Sequence, residues 1–333
     1  MRLTECDRAK GLAIFLVVMG HLSRTAPPGN SWYDVLKFDI VYMFHMGFFF
    51  CISGFLASYT LPSIRSVRDY THYARRRFLR FFPGFLVYGL AMLCAKSLLG
   101  AWTTVENPPP SFLRGLMDIL LCPMRSCAGE LWFIYVLLLF SLCLPVAWRA
   151  TKGKMAVLLP FLAVLHFAPG SDLFALNLAG SYAFFFVLGA CAARQYEVFG
   201  ALVDRWGKWL LPACALSFTI PLTGLDHAVM RFSYPFATLL IGSLSVPTLW
   251  YVVRSRVLPV RGLFECLGMF SYSIYMMHFM ALGLLRMGLH SLGSLEGWQF
   301  PVVAPLLLAG GLSVPVYVKR RVLPHVPVLD AII

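Results

Sequence analysis

The chain has 333 residues, of which 59% are hydrophobic and only 13% charged, and its mean hydropathy is +0.74. An ordinary soluble domain is roughly 25% charged; no water-soluble fold hides this much apolar surface, so that class is excluded. The formal charge of +13 is spread as small basic clusters between apolar runs, which is a topology signal rather than a nucleic-acid footprint, and no nucleic-acid partner is expected.

The N-terminal stretch carries Arg2, Arg8 and Lys10 ahead of the short apolar run LAIFLVVMG. That charge pattern imitates a secretory signal, but His21 and HLSR stand where a small-residue cleavage site belongs, so the segment reads as an uncleaved first helix. Apolar stretches recur at 11–23, 40–59, 78–99, 131–148, 155–168, 181–193, 209–222, 234–253, 264–289 and 300–318. They predict an all-α integral membrane protein, a polytopic bundle of about ten transmembrane helices. Some fall short of the roughly 20 residues that a lipid-facing span needs, which predicts tilted or broken helices packed inside the bundle. No stretch remains for a soluble domain, and residues 1–333 read as a single membrane-embedded domain.

With the N-terminus in the cytoplasm, 21 of the 28 Lys and Arg residues fall in cytoplasmic segments, including Arg75, Arg76, Arg149, Lys152, Arg254 and Lys319 to Arg321. The 15 acidic residues divide into seven inside and eight outside. Positive charge alone governs orientation, so both termini are expected in the cytoplasm, and the location is the cell's inner membrane. The longest external loop, 99–130, contains NPPPS at Asn107–Ser111, which excludes regular helix there and leaves the loop free to cap an external entrance. Seven of the nine cysteines lie in or beside apolar runs, where a buried thiol behaves as a small hydrophobe, and none has metal-ligand spacing. No metal is expected. Cys122 and Cys127 fall in the external loop, either as a disulfide or as two free thiols.

Polar groups at membrane depth need a partner, an aqueous cavity or a function. Lys10 and His21 are eleven positions apart, which on an α-helix returns to within about 20° of one face across about 16 Å. His21 reads as a general base, since an unperturbed imidazole titrates near operating pH, or as a hydrogen-bonded structural residue. His45 opens FHMGFFFCISGF, where it either lines an acceptor cavity or bonds a backbone carbonyl, while Ser53 and Gly54 form a small patch for close helix approach. Arg77 and Arg80 share one helical face in RRRFLRFFPGF; their guanidinium forks suit phosphate, although a snorkelling interfacial anchor has the same pattern. Glu130 begins GELWFIY, where it is placed to bind an acceptor hydroxyl, orient an imidazole or stay solvated. In SYSIYMMH the residues Ser271, Tyr275 and His278 form a polar stripe expected to face protein.

Taken together, these motifs resemble acyltransferase family 3, integral membrane enzymes that acylate surface polysaccharides and related glycans. DRAKGLAIFLVVMGH is similar to its first-helix signature, through Lys10 and His21, and RFLRFFP to its Arg-x-x-Arg motif, through Arg77, Arg80 and Pro83. FFFCISGF, ELWFIY and SYSIYMMH resemble further family motifs in the expected order. The first helix and FHM at 44–46 are most similar to the fucose 4-O-acetylase-like branch, from which Gly47 and Lys10 depart. The resemblance implies an O-acyltransferase using acetyl-CoA as acyl donor, with its phosphates on Arg77, Arg80 and Lys10. His21 would be the base, acting directly or through an acyl-histidine, and His45, Glu130 and His278 are secondary candidates. The implied acceptor is a glycan or lipid-linked sugar. No esterase-like domain accompanies the sequence, implying direct transfer or a separate partner protein that passes the acyl group on. The competing class is a glycolipid or small-molecule transporter or flippase, since intramembrane histidines also line transport paths; no inverted repeat or mid-membrane carboxylate supports it.

Overall fold

The computed structural model describes residues 3–23, 31–100, 107–222, 227–255, 258, 260–290 and 299–333, and contains no strand among them. Helix α1 (Thr4–Gly20) leads into α2 (Trp32–Tyr59), a continuous helix whose second turn, Val35–Val41, is π-helical. The long α3 (Val67–Leu99) opens on a capping box in which Ser66 Oγ accepts from the Asp69 amide at 3.1 Å and Asp69 Oδ2 accepts from the Ser66 amide at 2.9 Å. At 33 residues α3 is about 50 Å long, well beyond a bilayer core, so its basic first third stands outside the apolar zone. Pro83 lies inside it without ending it, as neighbouring helices permit in membrane proteins.

After the proline-rich stretch come α4 (Phe112–Leu121), α5 (Trp132–Ala150), the short α6 (Leu159–Leu165), α7 (Leu176–Arg194) and α8 (Tyr196–Ser217). The chain continues through α9 (His227–Arg254), α10 (Arg261–Met269), α11 (Ser271–His290), α12 (Phe300–Tyr317) and a final turn, α13 (Pro327–Ile332).

Two glycine-mediated crossings hold the centre. A Cβ on Gly54 of α2 would collide with the Phe186 carbonyl of α7, and one on Gly189 of α7 with the Cys51 carbonyl of α2. The same reciprocal arrangement joins α1 and α10, where Gly11 meets the Phe264 carbonyl and Gly268 the Asp7 carbonyl. Without a hydrophobic drive between helices in lipid, such backbone approach supplies the dispersion contact that holds them. Fully buried Phe50 packs on Phe133 and Phe140 of α5 and Tyr182 of α7, Phe55 on Trp250 of α9, and Phe85 on Tyr135 of α5.

Among the described residues, six helices are long and apolar enough to cross a membrane, or seven if the α10–α11 pair, bent by 85°, counts as one span. The expected count of about ten is therefore not reached by that measure. The remaining predicted stretches are a 17-residue α1, the short Met155–Leu165 helix, and 209–222, most of which belongs to α8, a helix that carries Glu197, Asp204, Arg205 and Lys208 ahead of that stretch. The one broken pair among the described residues, α10–α11, falls on the long 264–289 run rather than on a short one.

One end of the bundle gathers the basic and paired residues. Arg254 at the foot of α9 bonds Glu5 of α1 at 2.9 Å and Asp204 of α8 at 2.8 Å. Arg194 reaches Ser58 Oγ at 3.1 Å and stacks 4.1 Å from the Trp148 ring centroid. Arg8 pairs with Glu265 at 2.7 Å, and Ser273 Oγ donates to the Ile333 carbonyl at 2.9 Å, so the start of α1 and the final turn share this end.

Candidate active site

At the other end of the bundle a cavity of about 380 Å³ opens between α1, α2, α3, α5 and α11. His21 and Val17 line it from α1, His45 and Tyr42 from α2, Glu130 and Trp132 from the start of α5, and Tyr275, His278 and Phe279 from α11. Four of the residues singled out by sequence, on four separate segments, thus share one space. The loop after α3 closes part of it through Asn107, Met124 and Cys127, as its position suggested, and residues 101–106 lie outside the described residues.

His21 caps the C-terminus of α1, half-buried, with its ring centroid 5.4 Å from that of His278 and 5.8 Å from that of Phe279. The last carbonyls of a helix have no intrahelical partner, and here two tyrosines of α2 supply donors. Tyr33 Oη donates to the Met19 carbonyl at 2.8 Å and accepts from the Leu22 amide at 3.0 Å, while Tyr42 Oη donates to the Gly20 carbonyl at 3.0 Å. The backbone on both sides of His21 is pinned by these phenols.

The other two imidazoles are fixed through Nδ1. His45 Nδ1 lies 2.8 Å from the Val41 carbonyl, and His278 Nδ1 lies 2.8 Å from the Tyr275 carbonyl and 3.1 Å from that of Ile274. A carbonyl only accepts, so in each neutral ring Nδ1 carries the proton and Nε2 is the basic nitrogen. His278 is fully buried and its Nε2 has no hydrogen-bond partner among the described residues. An acceptor left this way costs about 1–3 kcal/mol, and this one belongs to a residue that lines the cavity. Both readings of His45 hold together: it bonds a carbonyl and lines the cavity. Ser271, Tyr275 and His278 are buried, as the stripe predicted, and the Tyr275 hydroxyl donates to the Glu130 carbonyl, tying α11 to the start of α5.

The expected phosphate-binding residues stand elsewhere. Neither Lys10 nor Arg77 nor Arg80 lines the cavity. Lys10 is held by Asp7 on its own helix at 2.8 Å. Arg77 contacts Thr60 Oγ1 at 3.4 Å and lies 5.2 Å from the Tyr73 ring centroid; Arg80 is exposed, with its guanidinium 4.9 Å from the Tyr272 ring centroid. Tyr272, which only Arg80 of the pair touches, precedes His278 by six residues on α11, about 9 Å along the axis.

A family model for an acyltransferase domain matches residues 3–320, nearly the whole chain. The chain belongs to acyltransferase family 3. No curated protein matches it, and neither does any solved structure, so the fucose 4-O-acetylase-like branch has no relative to support it. A multi-pass membrane acyltransferase, it carries His21 on the wall of a cavity built from α1, α2, α3, α5 and α11.

Three cationic cavity residues were not singled out by sequence: Lys37, Lys96 and Arg286. Lys37 Nζ donates to the Ser23 carbonyl at 3.2 Å, and Lys96 Nζ to the Cys127 carbonyl at 2.5 Å. Lys96 and Arg286 fall within the predicted spans 78–99 and 264–289, so the rule that an intramembrane charge needs an explanation marks both of them. Cys122 and Cys127 are free thiols. Burial pushes the Cys127 thiol above its ordinary range.

Proposed function

We propose that this acyltransferase moves acetyl from acetyl-CoA to a sugar hydroxyl of a surface polysaccharide, exopolysaccharide or lipid-linked glycan, from the inner membrane with both termini in the cytoplasm. The convergence of His21, His45, His278 and Glu130 on one cavity carries the reading. The donor phosphates bind Arg77 and Arg80 at the basic end; Lys10, already paired with Asp7, shapes that end rather than adding a free charge. The acyl arm runs along α11 toward the histidines. His21 takes the proton of the acceptor hydroxyl, whose oxygen forms a bond to the thioester carbonyl carbon. The carbon–sulfur bond breaks, the thiolate recovers a proton from the imidazolium, and an ester and free CoA remain. His278, its Nε2 turned to accept, orients the acceptor hydroxyl beside the His21 ring.

Membrane vesicles given labelled acetyl-CoA test the base. His21→Ala is expected to lower acceptor labelling by roughly a hundredfold or more at equal expression, and full labelling in the variant removes His21 from the mechanism. For the donor site, Arg77→Ala combined with Arg80→Ala is expected to raise the donor KM at least about tenfold while the protein still inserts. Unchanged acetyl-CoA binding by calorimetry refutes that assignment. Transport is the weaker reading because family membership, residues 3–320, is with acyltransferases.

A further inference from the structure

Resting on the acyl-transfer reading, we infer that the acceptor is bound through one pyranose ring, laid with its C–H face against Trp132 and hydrogen-bonded by the indole Nε1 and the Tyr182 hydroxyl. Trp132 at the start of α5 and Tyr182 of α7 both line the cavity that holds His21. Their rings stack at 5.4 Å with 26° between the planes, and both lean on the fully buried Phe50, at 5.8 and 5.1 Å. Three mutually packed rings make a firm apolar shelf with little side-chain freedom left to lose when a ligand arrives. The wall that carries Tyr182 is braced as well. His166, which follows α6, is buried and places Nδ1 2.6 Å from the Ser181 carbonyl of α7 and Nε2 3.0 Å from the Pro235 carbonyl of α9. Tyr182 and Tyr234, each adjacent in the chain to one of these carbonyls, both face the cavity.

An aromatic shelf suits either an acyl chain or a sugar ring, and the polar groups around it decide between them. Neither Trp132 Nε1 nor Tyr182 Oη holds a hydrogen bond with a described residue, and the fully buried His278 Nε2 on the same cavity has no partner among them either. An acyl chain would strip water from all three groups and offer them no partner. A pyranose carries C–H bonds on one face and hydroxyls around its rim, so it covers the rings and pairs with two donors and one acceptor at once. The cavity, about 380 Å³, is at the small end of the range for small-molecule sites, about 300–1,000 Å³. That size suits one sugar residue, at a chain end or on a carrier, rather than the interior of a polymer.

The test uses the full-length protein in detergent with labelled acetyl-CoA. The acceptors are methyl pyranosides of hexoses, 6-deoxyhexoses and N-acetylhexosamines, the acyclic polyols glycerol, ribitol and glucitol, 1-octanol as an alkyl-chain probe, and a membrane extract. At least one pyranoside is expected to exceed every polyol and octanol in kcat/KM by about tenfold or more, the effect of one aromatic stacking contact. Trp132→Ala is expected to raise the KM for that pyranoside about tenfold, and Trp132→Phe, which keeps a ring, to restore most of the loss. Tyr182→Phe removes only the hydroxyl and is expected to raise the KM for the pyranoside and not for octanol; it carries the test alone if Trp132→Ala does not fold. Use of polyols or octanol as efficiently as pyranosides overturns the inference and leaves acyl transfer standing. So does an acceptor KM unmoved by these substitutions, or labelling of the extract with every pyranoside refused. Labelling of neither panel nor extract overturns both.

Discussion

At the scale of single residues, the reactivity assigned to His21 depends on where the end of α1 is held. Its flanking carbonyls and amides belong to a helix terminus facing a cavity, where unsatisfied backbone groups are costly. Tyr33 serves three of them, and its own side chain is nearly fully buried between Met19 and Ser23. Tyr33→Phe removes the hydroxyl and keeps the ring, so its effect isolates the clamp. The expected result is a kcat lower by roughly tenfold, about 1–2 kcal/mol of lost hydrogen bonding, with the donor KM unchanged. A kcat equal to wild type shows that His21 is oriented without the tyrosine.

At the scale of elements, backbone contact between helix pairs sets the frame on which the histidines are mounted. His45 sits nine residues before Gly54 on α2, so any splaying of α2 from α7 moves the imidazole. Gly189→Val places a branched side chain against the Cys51 carbonyl, whereas Gly283→Ala on α11 enters open space. The first is expected to cost several kcal/mol, in the upper range of overpacking, and to lose the monodisperse peak in size-exclusion chromatography. The second is expected to leave both melting temperature and elution unchanged. Equal behaviour of the two variants contradicts the crossing. The π-helical turn Val35–Val41 belongs to this scale as well: by widening the helix just before His45 it supplies the Val41 carbonyl that fixes His45 Nδ1 and presents Lys37 to the cavity.

For the whole molecule, the decisive property is that the basic end and the histidine cavity are on opposite ends of the bundle. Arg80 and Lys96 are sixteen residues apart on α3, about 24 Å along the helix, and Glu5, Arg254 and Asp204 clamp α1, α9 and α8 at the basic end. In the proposed topology that end is cytoplasmic, as the charge asymmetry of the sequence leads one to expect. In a background without reactive thiols, Lys152→Cys is expected to react with a membrane-impermeant maleimide only after permeabilisation, and Arg125→Cys in intact cells. The reverse pattern inverts the topology and puts the donor site on the wrong side of the membrane.

Composition and the run of apolar segments determined the class, the helical content and which residues are chemically unusual, because hydropathy and intramembrane charge are local properties of the chain. The motifs around His21, Arg77 and His278 determined the family for the same reason. Tertiary structure alone showed that the 264–289 stretch lies on a pair of helices, α10–α11, bent by 85°. It also decided that Lys10 pairs with Asp7, and that Arg80 lies over the Tyr272 ring of α11. Most of all it decided which polar residues meet. His21, Lys37, Lys96, Glu130, His278 and Arg286 are scattered through 266 positions of sequence, and only the packing of helices around the close glycine crossings turns them toward a common space.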